Sequence, residues 1–249
     1  MKCLPASIAV ATALIAGFTS AVGIDFPAVV APEVPRTFPF SMVGQLLFRS
    51  GRSYYSGSGT VIGAHSVLTA AHNLYDPVEG WSTRLVFKRG LHGGSALSSQ
   101  PARRLYVLAG YNTSSLTYGG DSVQAFSHDT GGLVFDSPVA DGAAAAWVVD
   151  ATLLTSPAPK VAFGYGGERH SGEDLLASYA GQFSQVSGGF FEALMNVEPG
   201  MSGGPVIAQK ASGELAVCAV VVSSSADPVL GGVRVIAPNV ERFIQRYLP

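Results

Sequence analysis

The chain has 249 residues, of which 47% are hydrophobic and only 13% are charged, and its formal net charge is −2. Soluble domains contain about 25% charged residues, so this composition indicates a core-rich globular chain and excludes a disordered one. The sequence has no long run of lysine and arginine, so it lacks the basic surface of a nucleic-acid-binding protein and the polybasic patch of a membrane-surface protein.

The first residues of the chain are predicted to be a signal peptide, 1–21. Lys2 supplies a positive charge, residues 8–18 are mainly apolar, and Thr19-Ser20-Ala21 offers small residues to a signal peptidase. The apolar stretch is shorter than the about 20 residues of a membrane span. We therefore expect a secreted or periplasmic protein without a membrane anchor; the alternative is a buried N-terminal helix.

The two cysteines predict no disulfide. Cys3 falls in the predicted signal peptide, and Cys218 lies alone in the apolar run 215–222. A secreted domain without disulfides depends on its hydrophobic core, and this chain is long enough to form one. No Cys/His cluster occurs in the sequence, so we predict no metal and no cofactor.

Residues 22–37 are predicted to be a linker or a short pro-segment, because prolines at 27, 32 and 35 oppose a helix. From residue 41 onward, short apolar runs alternate with clusters of Gly, Ser, Asp and Pro, a pattern typical of β-barrels and sandwiches. The runs predicted as strands are 42–48, 59–62, 67–70, 85–87, 105–108, 143–149, 161–163, 190–196, 206–208, 215–222 and 232–237.

The C-terminus is the one place where the pattern predicts a helix. Asn239 can cap it, and the apolar residues that follow recur at helical spacing. These residues are Val240, Phe243, Ile244, Tyr247 and Leu248. A hinge near residues 136–142 divides the chain before this helix. We therefore predict two similar domains, 38–140 and 141–249, the second of which includes the helix.

A candidate nucleophile, Ser202, lies in Gly-Met-Ser-Gly-Gly-Pro at 200–205. A nucleophilic serine needs a tight turn whose backbone N–H groups meet the oxyanion, and glycines allow such a turn. The N–H groups of Gly200 and Ser202 are the predicted donors. A plain glycine-rich turn and the nucleophile elbow of an α/β-hydrolase are the alternatives.

The order of residues separates these alternatives. Elbow hydrolases place their histidine after the serine, whereas here every histidine precedes Ser202, at 65, 72, 92, 128 and 170. The order Asp-His-Ser requires an aspartate before the base, and only Asp25, in the predicted linker, precedes His72. The order His-Asp-Ser remains. His72 ends the strand-like Leu-Thr-Ala-Ala-His, and a structural histidine is its alternative role.

Three motifs resemble the trypsin/chymotrypsin family: Gly-Ser-Gly-Thr-Val-Ile at 57–62, Leu-Thr-Ala-Ala-His at 68–72 and Gly-Met-Ser-Gly-Gly-Pro at 200–205. The lack of disulfides and Phe163-Gly164-Tyr165-Gly166 are similar to its bacterial, glutamyl-endopeptidase-like (V8-like) branch. The resemblance implies an all-β fold of two antiparallel six-stranded β-barrels with the active site between them. It also implies a serine endopeptidase that forms an acyl-enzyme intermediate.

The resemblance also favours Asp129 as the triad acid. The family's aspartate opens a short apolar strand, and Asp129 precedes the apolar run 131–135, although Thr130-Gly131-Gly132 departs from the family pattern. Asp121 is the next candidate. Further aspartates between the base and the nucleophile are Asp76, Asp136, Asp141, Asp150 and Asp174. His128, beside Asp129, is interpreted as a surface residue or a neighbour of the acid.

Substrate-binding residues follow from the same resemblance. Ser223 lies where relatives bind substrate backbone by strand addition, Asn196 aligns with the base of the specificity pocket, and Val222 stands where glutamate-preferring relatives carry histidine. These neutral residues predict a preference for an uncharged residue before the cut bond. A shifted alignment would place Met195 or Val197 at the base, and Arg234 could enter the pocket and favour acidic residues.

Met201 replaces the aspartate that pairs with a new N-terminus in many animal relatives, so that activation switch is not expected. The predicted partner is a peptide or protein substrate, and the predicted state is a monomer. The alternative function is a catalytically silent secreted binding protein on the same fold. Histidine order disfavours an ester hydrolase of another fold.

Overall fold

The structure is a computed structural model that describes residues 26–226 and 229–248. The predicted signal peptide and Cys3 lie outside these residues. Seventeen strands are described: β1 Ala28–Val29, β2 Val43–Ser50, β3 Ser53–Gly63, β4 Ser66–Thr69, β5 Tyr75–Asp76, β6 Gly80–Trp81, β7 Thr83–Arg89, β8 Ser98–Pro101, β9 Arg104–Val107, β10 Gly131–Val134, β11 Lys160–Gly164, β12 Leu176–Ala180, β13 Ser184–Ser187, β14 Phe190–Ala193, β15 Pro205–Gln209, β16 Leu215–Ala226 and β17 Val229–Val235. Four α-helices are described: α1 Tyr111–Tyr118, α2 Val123–Phe126, α3 Thr152–Thr155 and α4 Pro238–Tyr247.

Two curled antiparallel sheets contain most of the strands, consistent with the predicted double barrel. The N-terminal sheet has seven strands in the order β8-β7-β2-β3-β4-β10-β9, and the C-terminal sheet has eight in the order β1-β12-β11-β15-β16-β17-β14-β13. These numbers exceed the six per barrel that the resemblance implies, because short edge strands such as β1 and β8 extend each sheet. Strands β5 and β6 form a separate two-stranded ribbon.

One hydrophobic core crosses both sheets. Phe40, Leu46 and Phe87 pack in the same buried cluster as Phe163 and Ile207 from the C-terminal sheet. The rings of Phe40 and Phe163 lie 5.0 Å apart. A second cluster, which includes Cys218, fills the interior of the C-terminal sheet alone. The shared cluster fixes the position of one sheet relative to the other, since burial of apolar surface is the main stabilising contribution to packing.

Each end of the described chain packs on the opposite sheet. Near the N-terminus, β1 pairs with β12 of the C-terminal sheet, and Val34 is buried, although this region is the predicted linker or pro-segment. At the C-terminus, α4 packs on the N-terminal sheet, where Tyr247 stacks on Tyr106 with ring centroids 4.8 Å apart. Both ends of the described chain therefore connect the two sheets.

Further details differ from the sequence predictions. The run 143–149 is not a strand, because its backbone bonds are divided between the sheets: Ala145 N–H donates to Val61 O and Val148 N–H to Val217 O. Helix α4 is present, but Ala237 is its N-cap. The Asn239 side chain instead accepts a hydrogen bond from the Arg234 guanidinium at 3.0 Å. The short helices α1 to α3 were not predicted.

Candidate active site

His72 lies on a single 3₁₀ turn, Ala71–Asn73, that directly follows β4. Ala70 and Ala71 are completely buried, so the small side chains before the histidine fill the interior. The imidazole lies at the cleft and keeps 33% of its side chain exposed. The strand end therefore brings a partly accessible imidazole to the space between the barrels.

The Asp129 carboxylate holds His72 at two points. One oxygen lies 2.6 Å from His72 Nδ1, and the other accepts the His72 backbone N–H at 3.0 Å. Asp129 is only 1% exposed. Burial by itself lowers the pKa of His72, but the charge and hydrogen bond of Asp129 outweigh this effect and raise the pKa above its ordinary value. Asp121, the second candidate, is an exposed residue in the cleft wall.

Ser202 follows a tight turn, Glu198–Met201. Met201 N–H donates to Glu198 O at 3.0 Å, and Gly200 has a φ of +99°. Pro at the second and Gly at the third position of a turn are the signature of type II. Neither Gly200 N–H nor Ser202 N–H donates to an acceptor in the described part of the chain. Both donors are therefore free to bind an oxyanion at this turn.

The carbonyl of Ser202 connects this residue to the N-terminal sheet. It accepts the Ser58 N–H at 2.7 Å and the Asn73 side-chain amide at 3.0 Å. Asn73 also donates to the Thr69 hydroxyl, which in turn donates to Ser58 O. Sequence reasoning missed this network. The signal was present in Asn73, which is adjacent to His72, and in Ser58, which lies between two glycines of the 57–62 motif.

A cleft of about 1010 Å³ brings most of the predicted site residues together. Those that line it are His72, Gly200, Ser202, Val222 and Ser223. The Ser202 hydroxyl makes no hydrogen bond to any described residue, and so none to His72. Glu192 of β14 also lines the cleft, and the sequence analysis did not identify it.

Two residues considered for the specificity pocket do not line this cleft. Asn196 is half-buried, and its carbonyl accepts a hydrogen bond from the Ser178 hydroxyl. Arg234 is 1% exposed and donates to Gly189 O at 3.1 Å. Burial lowers the pKa of Arg234 to about 10. Its position in the interior rules out the suggested entry into the pocket.

The described residues contain no group of three or more His, Cys, Asp or Glu side chains that could hold a metal ion. Among the same residues, no helix has the length and apolar character needed to cross a membrane. Cys218 is buried, and burial raises the pKa of its thiol to about 12. It therefore has the character of a core residue and not of a reactive thiol.

Comparison with solved structures finds proteases of the same fold. A Glu endopeptidase in complex with MPD is 18% identical, covers 90% of this chain and 97% of its own, and superposes with a TM-score of 0.71. Protease Anisep from Arthrobacter nicotinovorans is 18% identical, with coverages of 82% and 94% and a TM-score of 0.65. A thermostable serine protease, AL20, from an extremophilic microorganism is 17% identical, with coverages of 85% and 96% and a TM-score of 0.65.

No protein-family model matches the sequence, and no curated protein matches it. The structural similarity at this low identity shows the fold. The predicted trypsin/chymotrypsin-like, V8-like two-barrel fold is therefore confirmed.

Proposed function

We propose that the chain is a serine endopeptidase whose triad is His72, Asp129 and Ser202. The observation that carries the proposal is the buried Asp129 carboxylate, 2.6 Å from His72 Nδ1, at a cleft that Ser202 also lines. A carboxylate in this place fixes the tautomer of the base and stabilises the imidazolium that forms during reaction. The similarity of the fold to solved serine proteases supports the same reaction class.

In the proposed reaction the Ser202 oxygen forms a bond to the substrate carbonyl carbon while its proton passes to His72 Nε2. The carbonyl electron pair moves onto oxygen and gives a tetrahedral oxyanion. When this intermediate collapses, the C–N bond breaks and the leaving amine takes the proton from His72. Water then hydrolyses the acyl-enzyme by the same route, and Asp129 stays ionised throughout.

The oxyanion is proposed to accept hydrogen bonds from Gly200 N–H and Ser202 N–H. Both donors are free, and the φ of +99° at Gly200 is a conformation that glycine adopts without strain. Fixed donors of this kind stabilise the transition state because they need no reorganisation when the charge develops.

For the substrate we propose that Ser223 and its strand bind peptide backbone, and that Val222 forms an apolar wall of the specificity pocket. We do not assign Asn196 to this pocket, because it does not line the cleft. The preferred residue before the cut bond is proposed to be uncharged. Glu192, like Asp76, Glu79 and Asp121, is an acidic residue of the cleft wall, and its carboxylate opposes this preference because it would attract a basic side chain.

We further propose that the protein acts outside the cytoplasm, secreted or periplasmic, as a monomer and without a metal or other cofactor. The apolar segment with Lys2 at its start and small residues at its end supports export. Activity that persists in EDTA is the expected result. A requirement for added Zn²⁺ to restore peptide hydrolysis would contradict the metal-free mechanism.

The deciding experiment is labelling by an organophosphonate, followed by mass spectrometry of the modified peptide. The wild type is expected to be labelled at Ser202, and Ser202→Ala is expected to remain unlabelled and to lose about 10⁴- to 10⁶-fold in kcat. A folded wild type that is neither labelled nor hydrolytic would favour the silent binding protein. Near-normal proteolysis by folded Ser202→Ala would refute the assigned nucleophile.

A further inference from the structure

A His–carboxylate pair whose carboxylate is buried lies outside the proposed triad, next to the turn that precedes Ser202. His170 Nδ1 is 2.8 Å from Glu198 Oε1, and the side chains are 25% and 3% exposed, respectively. The other carboxylate oxygen accepts the Arg169 backbone N–H at 3.3 Å. A buried carboxylate is costly unless it is hydrogen-bonded, so this pair firmly joins Glu198 to the loop that carries His170.

Glu198 is the first residue of the turn that presents the proposed oxyanion donor. In the middle of the same turn, Pro199 O accepts the Gly167 N–H at 3.0 Å, from the loop that carries His170. The C=O and N–H of a trans peptide unit point in opposite directions. The bond from Gly167 to Pro199 O therefore also sets the direction of Gly200 N–H, and Gly200 lines the cleft.

The loop 165–174 is itself anchored to the N-terminal sheet. Gln45 donates its side-chain amide to Gly172 O at 2.6 Å, and His92 Nδ1 lies 2.8 Å from Asp174 Oδ1. This second His–carboxylate pair belongs to the same loop but does not contact the nucleophile turn. The loop is thus held at one end to the N-terminal barrel and at the other to Glu198.

We propose that Glu198, held by His170, is a positioning residue that keeps the Pro199–Gly200 peptide oriented with its N–H toward the cleft. The inference rests on the proposed function, because it takes the Gly200 N–H to be a donor to the oxyanion. His170 touches neither the triad nor the cleft. It acts on the reaction through the carboxylate and the loop, and so its effect falls on the transition state and not on substrate binding.

The test compares three variants. His170→Ala removes the donor to Glu198 and is expected to lower kcat about 10- to 100-fold with little change in KM, less than the about 10²- to 10³-fold cost of losing an oxyanion donor outright. His170→Asn is expected to restore most of kcat, because the asparagine amide nitrogen can occupy the place of Nδ1. His92→Ala removes the other pair of the same loop, and its kcat should equal that of the wild type.

Crystal structures of His170→Ala and His92→Ala supply a measurement that does not depend on activity. The Pro199 O to Gly167 N contact is expected to be lost in the first variant and retained in the second. Retention of the contact near 3.0 Å in His170→Ala would overturn the inference, as would an equal loss of kcat in both variants. If the wild type were inactive and unlabelled, the proposed function would be wrong. The two variant structures would still show whether His170 sets the orientation of the Pro199–Gly200 peptide.

If His170→Ala does not fold, Glu198→Gln provides the comparison. Glutamine replaces one of the two carboxylate oxygens with an NH2 group that cannot accept a hydrogen bond, so one of the two donors, His170 or the Arg169 N–H, loses its partner. The expected result is an intermediate loss of kcat at unchanged KM. A Glu198→Gln enzyme with the kcat of the wild type would also overturn the inference.

Discussion

The His72–Asp129 pair and the Ser202 turn face the same cleft, but different kinds of contact fix them. His72 is held by a carboxylate side chain that is 1% exposed and 2.6 Å away. The nucleophile turn is held mainly through its backbone carbonyls, which accept from Ser58, Gly167 and Asn73. His72, the proposed base, is thus oriented by a charged side chain, and Ser202, the proposed nucleophile, by main-chain hydrogen bonds.

This difference predicts how the two regions respond to substitution. A side chain that holds a base by charge can be removed with little change of fold but with a large change of protonation. A turn held by main-chain hydrogen bonds is instead sensitive to substitutions that change its backbone conformation, and no change of protonation is expected there. The following substitutions separate these responses, from the largest expected effect to the smallest.

Asp129→Asn is expected to lower kcat about 10⁴-fold, because the amide no longer fixes the tautomer or stabilises the imidazolium. The pH profile should also change. The base must be neutral, so wild-type activity rises with pH through the raised pKa of His72. Without the Asp129 charge, burial is left as the main influence and lowers that pKa, so the acid limb should move to lower pH. Rates from pH 5 to 9 measure both effects.

Asp121→Asn is the matched control for removal of the Asp129 charge. Asp121 also raises the pKa of His72, but it is the weakest of the causes and is not hydrogen-bonded to the ring. A small shift of the acid limb in the same direction, with kcat near that of the wild type, is expected. If Asp121→Asn were as damaging as Asp129→Asn, the triad acid would have to be reassigned.

Gly200→Ala tests the backbone of the nucleophile turn. An added Cβ would lie 2.5 Å from Tyr165 O, at a φ of +99°. The turn must shift, and the expected loss is about 10²- to 10³-fold in kcat, the effect of displacing one oxyanion donor. Gly213→Ala is the control, since Gly213 has a φ of +86° but open space around its Cβ. Equal losses of kcat in both would contradict the assignment.

Ser58→Ala should have a smaller effect on the same turn. The buried hydroxyl donates to Gly200 O at 2.7 Å and accepts Tyr165 N–H at 2.8 Å, so its removal leaves two buried groups unpaired. We expect a loss of about 1 to 3 kcal/mol in the free energy of unfolding. Ser82→Ala, whose buried hydroxyl has no partner among the described residues, should cost clearly less. Urea denaturation of both proteins makes the comparison.

Glu192→Gln is expected to have the smallest effect on catalysis and to act on specificity. If an uncharged residue is preferred, the profile from a mixed peptide library should change only a few-fold, because a half-exposed charge contributes about 1 kcal/mol at most. A wild-type preference for Arg or Lys that disappears in Glu192→Gln would show that this carboxylate selects the substrate and that the uncharged preference is wrong.

The two-barrel arrangement was implied by the family resemblance of the 57–62, 68–72 and 200–205 motifs. The sequence pattern by itself predicted a β-barrel or sandwich and the C-terminal helix, because strand periodicity and turn residues are local patterns. The resemblance also singled out Asp129 and His72 for the site, although one candidate, Asp121, stayed open. The pattern failed at 143–149, where an apolar run crosses between the sheets and divides its hydrogen bonds. A pattern of side chains cannot show which sheet a backbone N–H will reach.

Residue order by itself limited the triad to the order His-Asp-Ser, because chemistry restricts which residue types can serve and chain order restricts their combination. The motifs around His72 and Ser202 then supplied the base and nucleophile candidates. Tertiary structure alone decided that Asp129 lies against His72, that Asn196 and Arg234 stay out of the cleft, and that Glu198 pairs with His170. The physical reason is that the two contacts join residues that lie 57 and 28 positions apart. Asn196 and Arg234, in contrast, point away from the cleft. Such distances and directions are set by packing of the whole chain and leave no local signal.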